Sequence, residues 1–203
     1  MIDEELKRYV STFKGAGTSS ENTAVATIFR RVIMLADMGQ SVPSLGSMTS
    51  LSGKPLSFFL IDEMATTTFI TDIHLVVKAV DMGAVDKTGR NCLHYLLGSH
   101  MEAANFVGTL NHLLKSDLRL NLKALLLHEK ISPFGSKCTP LEGAIVSKKP
   151  EQISVFLETM NPQYAQELSE SLNTVLREGK TLGALLMDRG VEASLLSTYG
   201  FIQ

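Results

Sequence analysis

Apolar side chains along this chain return at helical spacing, and the alternation expected of half-buried strands is weak. Residues 22–38 set Val25, Ile28, Phe29, Val32, Ile33 and Leu35 on one broad face. Residues 102–115 do the same with Phe106, Val107, Leu110, Leu113 and Leu114, and residues 163–177 with Leu168, Leu172, Val175 and Leu176. Shorter helices are expected at 56–67, 71–81, 91–98, 118–128, 139–147, 151–160, 181–189 and 195–203. Between 40 and 55 the pattern lapses. Five serines, Pro43, Pro55, Gly46 and Gly53 accompany a single charge, Lys54, which marks an exposed connection. The chain reads as all-α, an irregular stack of helix-turn-helix hairpins. A helix and linker at 1–20 precede a single domain at 21–203.

Start and stop signals agree with that division. Thr139-Pro-Leu-Glu142 is a capping box: the threonine oxygen accepts from the third helical N–H, the glutamate reaches back, and proline suits the first helical position. Asn161-Pro162 is expected to end one helix in a left-handed turn and cap the next.

Two signatures recur in alternation. One closes a helix: Leu35-Ala-Asp37-Met38-Gly39, Ala79-Val-Asp81-Met82-Gly83 and Leu186-Met-Asp188-Arg189-Gly190, with looser copies at Phe156–Asn161 and Leu126–Ile131. Glycine or asparagine there suits a chain leaving a helix with positive φ. The other opens a helix: Gly53-Lys-Pro55-Leu56, Gly89-Arg-Asn-Cys-Leu93-His94, Lys137-Cys-Thr139-Pro140-Leu141-Glu142 and Gly179-Lys-Thr181-Leu182.

Together these signatures resemble ankyrin repeats, whose helix pairs close Leu-Leu-x-x-Gly-Ala and open Gly-x-Thr-Pro-Leu-His. The resemblance places repeats near 50–83, 86–131, 135–161 and 177–192, with a capping half-repeat at 22–39. The opening leucines Leu56, Leu93, Leu141 and Leu182 stand 37, 48 and 41 residues apart, against about 33 in a regular array. The longest spacing implies an inserted helix at 102–115. Only one opening carries Leu-His, and the openings at Gly53 and Gly179 are one residue short. Such irregularity resembles effector-type ankyrin proteins that bacteria deliver into host cells, which would place the chain in host cytosol.

The resemblance implies an ankyrin-like solenoid that binds another protein, not an enzyme, through a concave face and the turns between repeats. By position, the best-matching turn supplies Asp86, Lys87, Thr88 and Arg90. The following turn supplies Glu129, Lys130, Ser132, Phe134, Ser136 and Lys137. Tyr95, with Glu142 or Gly143, lies on the face of the first helices. A mixed-sign polar rim with aromatic anchors suits a modest protein interface.

Charge and composition narrow the alternatives. The chain has 203 residues, 44% hydrophobic and 20% charged, with a net charge of -2. Residues 1–100 hold ten acids and nine bases and the remainder eleven and ten, so neither half is a basic module for nucleic acid or anionic membrane. No apolar run approaches the ~20 residues of a membrane span, and the charged opening Met1–Arg8 lacks the apolar core of an export signal. A cytoplasmic protein, monomeric or weakly dimeric, is expected.

Candidate chemistry is sparse. Cys92 and His94 could pair as nucleophile and base in a small helical cysteine-dependent hydrolase or transferase, but residues two apart on a helix face different ways. Cys138 has no histidine close in sequence; both cysteines read as packed, with His94 orienting the turn. No histidine pair has metal-ligand spacing, and no Cys-x-x-Cys occurs. Gly179-Lys180-Thr181 matches the tail of a phosphate loop, but Thr174 stands where its first glycine belongs. No cofactor is expected. A third reading is a homodimeric structural protein joined through the 102–115 helix.

Overall fold

The computed structural model describes residues 4–42, 44–66, 72–99, 101–115, 121–131, 136–147 and 149–202. Its helices are α1 (Glu4–Lys14), α2 (Glu21–Asp37), α3 (Leu56–Thr66), α4 (Ile73–Val77), α5 (Cys92–Leu97), α6 (Ala103–Lys115), α7 (Leu122–Leu127), α8 (Pro140–Val146), α9 (Glu151–Leu172), α10 (Leu182–Met187) and α11 (Ala193–Thr198). Four short strands form two antiparallel hairpins: β1 (Lys130–Ile131) with β2 (Lys137–Cys138), and β3 (Val175–Arg177) with β4 (Lys180–Thr181). The mostly helical reading holds. The expected helical residues 67, 71 and 118–120 lie outside the described residues.

The four opening leucines explain the packing order. Leu56, Leu93, Leu141 and Leu182 begin α3, α5, α8 and α10 and are no more than 1% exposed. These helices pack in chain order, α3 on α5, α5 on α8 and α8 on α10. Behind them, α6 packs on α3, α4 and α9, and α7 on α5, α8 and α9. One continuous apolar core joins all of these layers. The 102–115 segment is therefore a core helix: Phe106, Leu110 and Leu113 are buried. Each such side chain contributes about 1.5–3 kcal/mol by leaving water.

Caps fix where the first helices start. Asn91 Oδ1 accepts the His94 N–H at 3.0 Å, and Thr139 Oγ1 accepts the Glu142 N–H at 3.4 Å, with both capping boxes closed by the third residue's side chain. Thr181 caps α10 with the forward bond alone, its Oγ1 accepting the Ala184 N–H at 3.2 Å. Gly89 and Gly179, both with positive φ, turn the chain just ahead of α5 and of strand β4, which leads into α10.

Three expectations are corrected. No left-handed turn forms at Asn161-Pro162; two helical stretches within α9 meet instead at Tyr164, whose backbone (φ -125, ψ 30) is not helical. Phe156, Leu157 and Met160 before that break and Leu168 and Leu172 after it are buried, and Pro162, two residues ahead of it, lacks the N–H that an unbroken ladder needs. Residues 175–177 are strand, not helix, because Glu178 and Gly179 both take positive φ and close a two-residue hairpin. Gly83 does not have positive φ; α4 has already ended at Val77, and Asp81 Oδ1 accepts the Gly83 N–H at 2.8 Å.

Candidate functional site

The turn before α5 is organised by one carboxylate. Asp86 Oδ1 accepts from the backbone N–H groups of Thr88 (2.8 Å) and Arg90 (3.0 Å) and from the Thr88 hydroxyl (2.7 Å), while Oδ2 accepts from Arg90 Nε (2.8 Å). Burial alone would raise its pKa, but these donors hold it below the usual carboxylate range. Asp86 is thus turned inward, spent on its own turn, and unavailable to a partner. Lys87 is exposed on the same turn.

His94 is buried on α5. Its Nε2 lies 2.9 Å from the Cys138 carbonyl, which can only accept, so Nε2 carries the proton. Nδ1 accepts the Asn91 N–H at 3.4 Å. Asn91 Oδ1, 2.9 Å from Nδ1, favours a second proton, but burial prevails, aided by the charges of Lys130, His128 and Arg90, and lowers the pKa to about 4.

Tyr95 occupies the other side of α5. Its ring stacks on Phe58 at 4.4 Å, and its hydroxyl donates to both oxygens of Asp62 (2.9 and 3.0 Å). Lys54 Nζ binds Asp62 at 2.8 Å and stands 4.1 Å from the Phe59 ring centroid. Arg90 lies over the Phe58 ring at 5.9 Å.

These groups border a groove of about 550 Å³ lined by Asp62, Arg90, His94, Tyr95, Gly98, Ser99, Met101, Lys130, Gly143 and Ser147. Its geometry follows a simple register. Two residues after the opening leucines come Phe58, Tyr95 and Gly143; six residues after come Asp62, Ser99 and Ser147. Tyr95 on α5 and Gly143 on α8 line the groove at matched register, with Asp62 of α3 and with Ser99 and Ser147 just past the ends of α5 and α8; Phe58 is buried and backs the Tyr95 ring. Asp62, Ser99 and Ser147 were readable from that register, beside the turn residues Arg90 and Lys130 and the helix-face residues Tyr95 and Gly143 that the sequence had singled out. A cleft of about 510 Å³ between α2 and α3 carries Arg30 and Glu63 among threonine, alanine and asparagine, without a stacked aromatic.

Of the expected partner-facing residues, the structure gathers Arg90, Tyr95 and Lys130 at the groove. Glu129, Lys137 and Glu142 belong to an ionic cluster instead. Arg177 bridges Glu129 and Glu142, Arg189 Nε binds Glu142 Oε1 at 3.0 Å, and Lys137 approaches Glu129 at 3.4 Å. Glu142 is fully buried and cannot meet a partner. Burial would raise its pKa, but the Thr139 N–H and the Arg177 guanidinium lower it. Phe134 and Ser132 lie outside the described residues.

Burial pushes the Cys92 thiol up to about 12 and raises that of Cys138, the reverse of an activated nucleophile. Among the described residues no cluster of metal-ligating side chains occurs, and no helix is long and apolar enough to cross a membrane. No family model, curated protein or solved structure matches this chain.

Proposed function

We propose that this chain is a non-enzymatic protein-interaction module, an irregular ankyrin-like array that holds a partner in the groove across α3, α5 and α8. The observation that carries the reading is the matched register of groove-lining positions in successive units, Tyr95 and Gly143 beside Asp62, Ser99 and Ser147, with the Tyr95 ring backed by buried Phe58. Further support comes from the hairpins before α8 and α10, which stand where ankyrin fingers would, and from the first helices packing in chain order. Tyr95 is already held by Phe58 and Asp62, so it offers a rigid aromatic surface with little entropy left to lose on binding. The raised thiol pKa values count against the cysteine-enzyme reading.

The test is selection of a random-peptide phage library on the immobilised full chain, with a Ser147→Trp variant whose indole fills the groove. Enrichment on the wild type that vanishes on the variant supports the reading. No enrichment, or the same peptides on both, contradicts it.

A further inference from the structure

We propose that the segment this groove takes is acidic: a stretch of partner polypeptide that places an Asp or Glu carboxylate between Lys130 and Arg90, beside the Tyr95 ring. This rests on the interaction reading above and adds the partner's chemistry.

The groups of the groove that remain unpaired among the described residues are cationic. Among the described residues the only acid lining the groove is Asp62. Its carboxylate already accepts the Tyr95 hydroxyl and the Lys54 ammonium, so it has little left to offer an incoming donor. The cations differ. Lys130 has no acidic partner among the described residues. Arg90 gives Nε and Nη2 to Asp86 Oδ2, both at 2.8 Å, leaving Nη1 without one. Their charges also reach His94 at the groove, where both oppose its protonation.

The surface thus presents donors and positive charge around an aromatic face. A guanidinium edge beside an ammonium suits a carboxylate. Gly98 and Gly143 put no side chain into the groove, which gives a ligand side chain depth.

The same phage selection is read for composition, on the wild type and on Lys130→Glu, with Lys130→Gln as a second variant should the reversal disturb folding; circular dichroism verifies helicity. The wild type is expected to enrich Asp and Glu several-fold over the unselected library. Lys130→Gln should reduce that bias, and Lys130→Glu should abolish it or turn it toward Lys and Arg. Peptides enriched without acidic bias, or an acidic bias unchanged in both variants, would overturn the proposal and leave the interaction reading standing. No enrichment on the wild type, or the same peptides on Ser147→Trp, would overturn both.

Discussion

His94 on α5 donates from Nε2 to the main-chain carbonyl of Cys138, 44 residues further along the chain and on the hairpin leading into α8. One position after the next opening leucine, Glu142 does the corresponding work with different chemistry, pairing with Arg177 on the following hairpin. Helices α5 and α8 are thereby each pinned to the hairpin that follows them. His94→Ala leaves buried polar groups of Asn91 and Cys138 without partners, at a cost of about 2–4 kcal/mol. Urea unfolding followed by circular dichroism measures it.

The same histidine gives stability a pH dependence of known sign. The unfolded chain binds a proton near pH 6.5, while the folded chain refuses it until about pH 4. The contribution is therefore complete above pH 6.5 and is lost as pH falls from there to 4, on the order of 3 kcal/mol. His94→Gln, neutral throughout, should flatten the stability profile between pH 6.5 and 4.5. An unchanged slope would sink this assignment.

Glu142 supplies a separate acid limb. Its pKa is lowered from 4.5 in the folded chain, so its contribution is present above that pH and is lost below it. Removing it leaves Arg177 with Glu129 alone, takes a carboxylate from Arg189 and leaves the buried Thr139 N–H without its acceptor, so Glu142→Ala should cost about 2–4 kcal/mol. Arg189→Ala, at a side chain 37% exposed, should cost about 1 kcal/mol or less. Equal losses for the two variants would refute the ranking.

Both thiols should be inert in the folded protein. Cys92 is 1% exposed and Cys138 7%, so alkylation near neutral pH should be slow and should follow unfolding. Rapid modification of either without denaturant would revive the enzymatic reading.

Gly183 answers to a contact at the far end of the chain. A Cβ there would lie 2.3 Å from the Phe201 ring, which packs on α10 and is buried. Gly183→Ala should destabilise by about 1–3 kcal/mol through overpacking. Combined with Phe201→Ala it should cost clearly less than the two single effects together, because the clash is then gone. Additive losses in thermal melts would contradict this.

Much of this architecture was legible in the sequence because its rules are local. The capping box at Thr139 and Glu142, the turn at Asp86 and the spacing of Leu56, Leu93, Leu141 and Leu182 need only short-range chemistry. The misses involve contacts between distant segments. The β3–β4 hairpin has an apolar stripe that also suits a helix, and only pairing decides. Glu142 read as exposed because its partners Arg177 and Arg189 lie 35 and 47 residues away. The groove was half visible: Arg90 and Lys130 came from the turns and Tyr95 and Gly143 from the first-helix face, while Asp62, Ser99 and Ser147 needed the register after each opening leucine carried across three units.

The most direct test of the groove is site-specific photocrosslinking in cells. A photoreactive phenylalanine analogue replaces Ser99 or Ser147 in the groove, or Thr198 on the exposed face of α11 as a control. The account predicts one and the same protein adduct from both groove positions and none from 198. Adducts from 198 alone, or identical adducts from all three positions, would contradict it.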